Sequence, residues 1–589
     1  MKERWFITRK GADFQAISHK FRINMIIARL IRNRDVIGDE AIQTYLNGGL
    51  EDLHDGRLLK GMDLAIDILT EKIQLNKKIR VIGDYDIDGI NATYILLEGL
   101  ERVGADVDSD IPHRMTDGYG LSIDLVKRAV HAGVDTIVTC DNGISAVQEI
   151  AYAKQCGLTV IITDHHEVPY DDVENEFGST RIYKYPMADA IIDPKQEKCM
   201  YPFPHICGAM VAYKLVENLY QSMGNDSEDL DYLIENVAIA TIGDVMDLVG
   251  ENRIIVKQGL EMLKRTNNLG MQALIKSTEI DVDHLNAYHI GFVIGPCLNA
   301  SGRLDTAKKA LELLRTKNEN QAYIKATELK ALNDERKELT LQGVEQAIQI
   351  IEKSKTIDKV LVIYLPTCHE SLAGIIAGRI RERYHRPTFV LTQGEESVKG
   401  SGRSIEEYDM FEEMTKCKQL FIKYGGHKLA AGLSISEELV ETLRNTLNKN
   451  CELNEEDLIP KVSIDMQVPL PYISEELIAQ LELLEPYGKA NQKPIFVEKD
   501  IEISNIQVLG KNRNVIKMNL SKDGCTLVGI YFGEPDQFQA CIENKYGQNA
   551  FQKVLERKIT GLKLDITFYP EINTFRENKT IQLIIKNMR

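Results

Sequence analysis

From Ile79 onward, short apolar runs alternate with longer stretches in which apolar residues recur every three or four positions. The segments at 79–83, 107–111, 136–140, 159–163 and 189–193 read as strands, with Val81-Ile82 a short buried run. The segments near 91–103, 122–132 and 144–156 read as amphipathic helices. Strand and helix taking turns is the pattern of a parallel, doubly wound sheet. Before it, residues 1–75 keep helical spacing, as in Met62-Asp63-Leu64-Ala65-Ile66-Asp67-Ile68-Leu69. The same spacing returns over 305–354, around Ala310, Leu311, Leu314, Ala347, Ile348 and Ile351, and predicts a long connecting helix or helix pair. A second α/β unit opens on Val360-Leu361-Val362-Ile363-Tyr364 and reaches about residue 450. Acids and prolines mark a boundary at 450–472, beyond which runs at 515–520, 526–532, 562–568 and 581–585 read as strands of a small β-barrel.

The ends of the first set of strands are where the chemistry lies. Val81-Ile82-Gly83 runs into Asp84-Tyr85-Asp86-Ile87-Asp88-Gly89, and the next ends carry Asp141-Asn142-Gly143, Asp164-His165-His166-Glu167 and Asp193-Pro194. The apolar run 237–243, read as a further strand, stops at Asp244. Strand ends of a parallel sheet share one edge, so these groups can converge. Alternate residues of an extended segment point the same way, which would crowd Asp84, Asp86 and Asp88 into one pocket. Carboxylates that close repel one another unless cations hold them. A catalytic metal site is favoured over an EF-hand, whose loop needs a bidentate Glu at the twelfth position, where this chain has Ile95. Mixed carboxylate and imidazole ligands suit manganese or magnesium. Asp141 is the candidate to bridge two ions about 3.5–4 Å apart, the arrangement used in phosphoester hydrolysis.

At 589 residues the chain calls for three or four domains, and 43% hydrophobic with 27% charged residues fits a soluble globular protein. Lys+Arg of 71 against Asp+Glu of 88 gives a net charge of −17, which argues against coating nucleic acid through bulk charge. A local basic groove remains compatible with it. Basic residues cluster in Arg379-Ile380-Arg381-Glu382-Arg383-Tyr384-His385-Arg386, in Lys399-Gly400-Ser401-Gly402-Arg403-Ser404 and in Tyr424-Gly425-Gly426-His427-Lys428. Glycine lets backbone approach a ligand closely, and Arg and His beside it suit phosphate. No Walker A lysine pattern accompanies them. The 10 cysteines never form Cys-x-x-Cys, so neither a zinc site nor a disulfide framework is indicated. No apolar run approaches a membrane span and no signal-peptide core is visible, which predicts the cytoplasm.

In order and spacing, Asp84-Tyr85-Asp86-Ile87-Asp88-Gly89, Asp141-Asn142-Gly143 and Asp164-His165-His166 resemble the DHH phosphoesterases, and within them the bacterial exonucleases specific for single-stranded DNA. Ile111-Pro112-His113-Arg114, Gly118-Tyr119-Gly120, Cys207-Gly208-Ala209 and Gly295-Pro296-Cys297-Leu298-Asn299-Ala300-Ser301-Gly302-Arg303-Leu304 extend the likeness over nearly the full chain. The resemblance implies an N-terminal helical segment (1–75), a parallel-sheet DHH catalytic domain (76–304) and a connecting helix (305–354). A DHHA1 substrate-binding domain (355–450) and an OB-fold for single strands (472–589) would follow. It further implies that Asp84, Asp86, Asp88, Asp141, His165 and Asp244 bind two divalent cations, Mn2+ or Mg2+, with Asp247 a weaker alternative to Asp244. His166 would face the scissile phosphate, as ligand or as electrostatic stabiliser, and Arg114 and Arg303 would bind phosphates. Arg379, Arg403 and His427 would contact substrate. The implied activity is 5′ to 3′ hydrolysis of single-stranded DNA to nucleoside 5′-monophosphates in repair and recombination. Single-strand-binding protein and a helicase are the implied partners. The family's Gly-x-Gly-Asn is here Gly488-Lys489-Ala490-Asn491, a departure in that loop. Tyr487, Phe496, Tyr531 and Phe532 could stack on bases, but filling the barrel is the expected role of most.

Two rivals make other demands. A phosphodiesterase of the same superfamily acting on oligoribonucleotides or cyclic dinucleotides would not need the C-terminal barrel. A non-catalytic replication scaffold on a decayed core would lack ligands, whereas every ligand position is filled.

Overall fold

The computed structural model describes residues 3–589 apart from 115, 176–177, 355, 511–512, 534, 557, 559–560 and 576–577, so the expected domain start at 355 lies outside the described residues. The chain groups into two units, one of 53–246 and 255–460 and the other of 3–52, 247–254 and 461–589.

In the first unit, β1 (Ile79–Gly83), β2 (Val107–Asp110), β3 (Thr136–Cys140), β4 (Thr159–Thr163) and β5 (Ala190–Ile192) form one sheet in the order β2-β1-β3-β4-β5. Every pairing in it is parallel. Burial of β3 on both faces explains its unbroken apolar run. Helix α1 (Ile87–Arg102) starts four residues earlier than the periodicity suggests. The three acids therefore do not alternate along an extended segment. Asp84 follows the end of β1, Asp86 caps α1 by accepting from the backbone N–H groups of Asp88 and Gly89 (3.0 and 3.1 Å), and Asp88 lies in the first turn. Residue 89 must be glycine because a Cβ there would stand 2.5 Å from the Asp84 carbonyl oxygen.

Two helices complete the frame, α2 (Gly208–Ser222) and α3 (Ile234–Gly243). The second corrects the expected strand at 237–243. Residues 234–241 are all buried, and a helix covered on every side leaves no amphipathic stripe to distinguish it from a buried strand.

Glu235 of α3 is 5% exposed, and its Oε1 accepts from the Thr266 hydroxyl at 2.7 Å. Burial pushes its carboxyl up to about 7 from an ordinary value near 4.5. A raised folded-state pKa gives stability that is full below the unfolded value and lost as pH rises through 7. Glu235→Gln keeps an acceptor for Thr266 without the charge, so at pH 8 it is expected to exceed the parent in stability by about 3 kcal/mol. The advantage should shrink to nothing near pH 4. Denaturant unfolding at both pH values checks this, and an equal difference at both would refute it.

After α4 (Gly295–Leu304) and a short helix, Lys308–Arg315, the long helix α5 (Glu319–Glu352) leads into the second sheet. That sheet comprises β6 (Leu361–Tyr364), β7 (Thr388–Gln393), β8 (Val398–Arg403), β9 (Phe421–His427) and β10 (Ala430–Ile435), ordered β9-β10-β8-β7-β6 with α6 (Ala373–Tyr384) packed on it. Only β6 and β7 pair in parallel.

The second unit holds the barrel. Strands β11 (Phe496–Leu509), β12 (Val515–Lys522), β13 (Cys525–Phe532), β14 (Leu562–Phe575) and β15 (Asn578–Met588) run in the order β11-β12-β13-β15-β14, and pairing of β11 with β14 closes the ring. Phe496 and Tyr531 fill its core, Tyr487 donates to the Leu481 carbonyl at 2.8 Å, and Phe532 is 62% exposed. In the Gly488-Lys489-Ala490-Asn491 loop, Ala490 adopts φ 59°, while the Asn491 amide donates to the carbonyls of Leu484 and Pro486. Helices Met25–Asn33 and Asp39–Asn47 enter the core through Ile27, Leu30, Ile31 and Ile42, and Phe14–Phe21 packs against it through Phe14, Ile17 and Phe21. The opening of the chain is not helical throughout, since Arg4–Ile7 is a strand paired in parallel with Lys461–Ile464. Buried Arg253 donates to the carbonyls of Tyr45, Leu483, Leu484 and Glu485, which makes it a structural clasp of this unit.

Candidate active site

The carboxyl edge of the first sheet gathers the acids. Single ligand atoms from Asp84, Asp86 and Asp141 lie within 4.8 Å of one another, as do atoms from Asp88, His165 and Asp244, and from Asp141, His165 and His166. His165 links the sets, its Nε2 standing 3.1 Å from Asp141 Oδ1, 3.5 Å from Asp88 Oδ2 and 3.8 Å from Asp244 Oδ2. Asp247 instead pairs with Lys489 at 3.1 Å.

Backbone groups hold these side chains. Asp88 accepts from the Gly208 and Ala209 N–H groups, both at 2.7 Å, so the first turn of α2 clamps its carboxylate. A Cβ on Gly208 would stand 2.8 Å from Asp141 Cβ, which accounts for glycine in Cys207-Gly208-Ala209. Asp141 takes φ 59°, a region tolerated by Asp better than by most residues, as the chain turns out of β3. The Gly120 N–H donates to Asp84 Oδ1 at 3.2 Å, which explains the proximity of Gly118-Tyr119-Gly120.

The electrostatics fit cations. Burial, with the Asp86 charge second, pushes Asp84 up to about 8. Burial raises Asp88 as well, aided by Asp244, and raises Asp141, aided by Asp88. Burial and the neighbouring His166 lower His165 to about 3, keeping its imidazole neutral, the form that offers a lone pair. Asp84 Oδ2 is buried with no hydrogen-bond partner among the described residues. Crowded carboxylates, a neutral imidazole and an unsatisfied oxygen are together what a hard divalent cation satisfies.

His166 stands to one side with its side chain 45% exposed. Its Nδ1 contacts Asp164 Oδ1 at 2.7 Å and its Nε2 meets the Tyr119 hydroxyl at 3.1 Å. Burial pulls its pKa down, but the Asp164 carboxylate outweighs this and raises it to about 9. Arg114 lies over the Tyr85 ring at 4.9 Å, and Arg303 Nη1 donates to the Ser371 carbonyl at 2.8 Å. Among the described residues neither arginine pairs with a carboxylate.

The comparisons with known proteins match this arrangement. Family models match a DHH family N-terminal domain at 78–241, a DHHA1 domain at 358–453 and a RecJ OB domain at 464–587. The single-stranded-DNA-specific exonuclease RecJ of Bacillus subtilis is 32% identical over 591 residues, 100% of this chain and 71% of that protein. The chain belongs to the RecJ family. RecJ of Haemophilus influenzae is 30% identical, covering 95% of each chain. Among solved structures, RecJ from Thermus thermophilus in complex with Mn2+ has a TM-score of 0.81 at 25% identity, over 100% of this chain and 79% of that one.

Within this RecJ-family chain the remaining expected contacts are spread over the second sheet and the helix packed on it. Arg403, at the end of β8, is half-buried, and burial followed by the Arg381 charge lowers its pKa. Arg379 on α6 and His427 on β9 are exposed. Three residues escape the sequence reading. Tyr119 stands there only as part of a glycine motif, yet its hydroxyl meets both His166 and the Asp141 carbonyl. Asp164 reads as one more strand-end acid, whereas it orients His166 and accepts from the Ile144 N–H at 2.9 Å. Arg336 sits in the charged middle of the connecting helix. Burial and the charge of nearby Arg379 lower its pKa, and among the described residues it has no carboxylate partner. A lone arginine in a helix full of Lys and Glu carries no sequence signal of such a position.

Proposed function

We propose that the chain is a 5′ to 3′ exonuclease on single-stranded DNA, releasing nucleoside 5′-monophosphates in DNA repair and recombination. The observation that carries this reading is the three ligand sets joined through Asp141 and His165, with arginines nearby that lack carboxylate partners among the described residues. The names of the relatives supply the substrate class, and the matched barrel domain supports it. Asp84, Asp86 and Asp141 would hold one divalent cation, and Asp88, Asp141, His165 and Asp244 a second. Bound there, manganese or magnesium would activate water as a Lewis acid and neutralise charge on the phosphate.

The chain's own groups orient and neutralise the substrate. Arg114 and Arg303 would take the non-bridging phosphate oxygens, where charge grows during attack. Asp164 fixes the His166 ring through Nδ1, so the proton exchanged on the substrate side would be the one at Nε2. Arg379, Arg403 and His427 would bind phosphates next to the scissile one, and a passage too narrow for duplex would select single strands. Single-strand-binding protein and a helicase are the partners this reading expects, in the cytoplasm. Among the described residues, no helix is long and apolar enough to cross a membrane.

The test is digestion, with manganese, of single-stranded DNA labelled at either end. A labelled mononucleotide released first from the 5′ end is expected. Release first from the 3′ label would reverse the polarity. Intact DNA together with hydrolysis of a dinucleotide would favour the small-substrate phosphodiesterase.

A further inference from the structure

Arg403 and His427 belong to a larger surface. Along β8, Lys399, Ser401 and Arg403 alternate with the buried Val398, Gly400 and Gly402, so the first three share the opposite face. The register with β10 sets Ser434 beside Lys399, Gly432 beside Ser401 and Ala430 beside Arg403. The register of β10 with β9 then adds Lys423, Gly425 and His427 to the same rows. Three rows result: Lys399-Ser434-Lys423, Ser401-Gly432-Gly425 and Arg403-Ala430-His427.

The middle row is nearly bare. A Cβ on Gly425 or Gly432 would meet no atom within 4 Å, so two of its three strands present only backbone to open space. The outer rows carry Lys399 and Lys423 at one end, Arg403 and His427 at the other. None of the four pairs with a carboxylate among the described residues. Lys399 Nζ instead donates to the Ser434 hydroxyl at 3.2 Å. Arg403 rests against Gly374 of α6, where a Cβ would come within 2.9 Å of its Nη2, and Ser371 just before α6 accepts from Arg303. The Arg403 end of the trough and Arg303 thus both reach the start of α6. Its two charged ends are four residues apart on β8, roughly 14 Å at about 3.4 Å per residue. That span exceeds the ~3.4 Å spacing of charges along one strand of a duplex several times over, so the two ends meet different phosphates.

We infer that Lys399 and Lys423 form a second phosphate subsite for the same single strand, whose sugar–phosphate backbone lies directly on Gly425 and Gly432. This rests on the exonuclease reading and extends its substrate contacts beyond Arg403. Charge selects the phosphodiester, and the bare floor lets the backbone come close to the sheet.

The experiment measures affinity of the full chain for a 3′-fluorescent oligothymidylate by anisotropy, in chelator to prevent cleavage, over a series of salt concentrations. Lys399→Ala/Lys423→Ala is expected to reduce the slope of log affinity against log salt by about 1 to 2. Gly432→Val fills the floor with a residue that suits a strand and whose Cβ meets no atom within 4 Å, so its melting temperature is expected to stay near the parent's. Its affinity is expected to fall about tenfold. Parental slope in the lysine variant together with parental affinity in a folded Gly432→Val would overturn the subsite and leave the exonuclease reading standing. Failure of the parental chain to bind the oligonucleotide would overturn both.

Discussion

Asp141→Ala is expected to lower phosphodiester cleavage at least about a thousandfold without loss of fold. The residue is 2% exposed, belongs to two of the three ligand sets and stands 3.1 Å from His165 Nε2. Each 1.36 kcal/mol of lost transition-state stabilisation costs about tenfold in rate, and a cation that polarises a phosphoryl oxygen supplies several such increments. The stability readout separates this role from a structural one. With the metal chelated, Asp84, Asp88 and Asp141 hold their protons more tightly folded than unfolded. Metal-free stability should therefore be highest below the ordinary carboxylate range and decline as pH rises towards about 8. Manganese should flatten that decline in the parent and do so less in the variant. Melting temperatures across pH, with chelator and with manganese, measure both effects. Undiminished cleavage by Asp141→Ala would remove the residue from the metal site.

Arg303→Ala is expected to reduce kcat/KM about a hundred- to a thousandfold, the usual cost of removing one donor aimed at developing charge. Burial, then Arg114 and Arg336, lower its pKa to about 10, which still leaves it charged at neutral pH. One nitrogen already donates to Ser371, so the planar head is held in one orientation. Arg303→Lys should recover little, since an ammonium is a point charge without the paired donors that match a phosphate. Steady-state kinetics on a short single-stranded substrate checks both variants. Full recovery by lysine would mean that charge alone matters at this position.

The sequence makes the inner strands β1, β3 and β4 of the first sheet legible because they are largely buried and written as mostly apolar runs, each ending where the edge turns polar. That rule locates Asp84, Asp141, Asp164 and His165. It fails at Asp244, where the same kind of run proves to be the C-terminal part of α3, buried all round and without visible helical period. It also gives a wrong geometry for Asp86 and Asp88, because an N-cap and a first helical turn follow the strand after only Asp84 and Tyr85. Tyr119 and Arg336 are out of its reach, since what gives them a neighbourhood is tertiary: His166 for one, Arg379 for the other. The strand Arg4–Ile7 is invisible for the same reason, its partner lying near residue 461.

That last pairing bears on how the protein comes into being. Residues 3–52 and the barrel that begins after 461 share one core, with Ile27, Leu30 and Ile31 packed among residues such as Leu470, Phe496 and Phe568. During synthesis the opening helices leave the ribosome with their apolar face unburied, and their covering is translated only after the whole of the first unit. A gene fragment cut at the barrel boundary would therefore yield a closed barrel with part of its shared core uncovered, and restoring residues 3–52 by fusion would cover it.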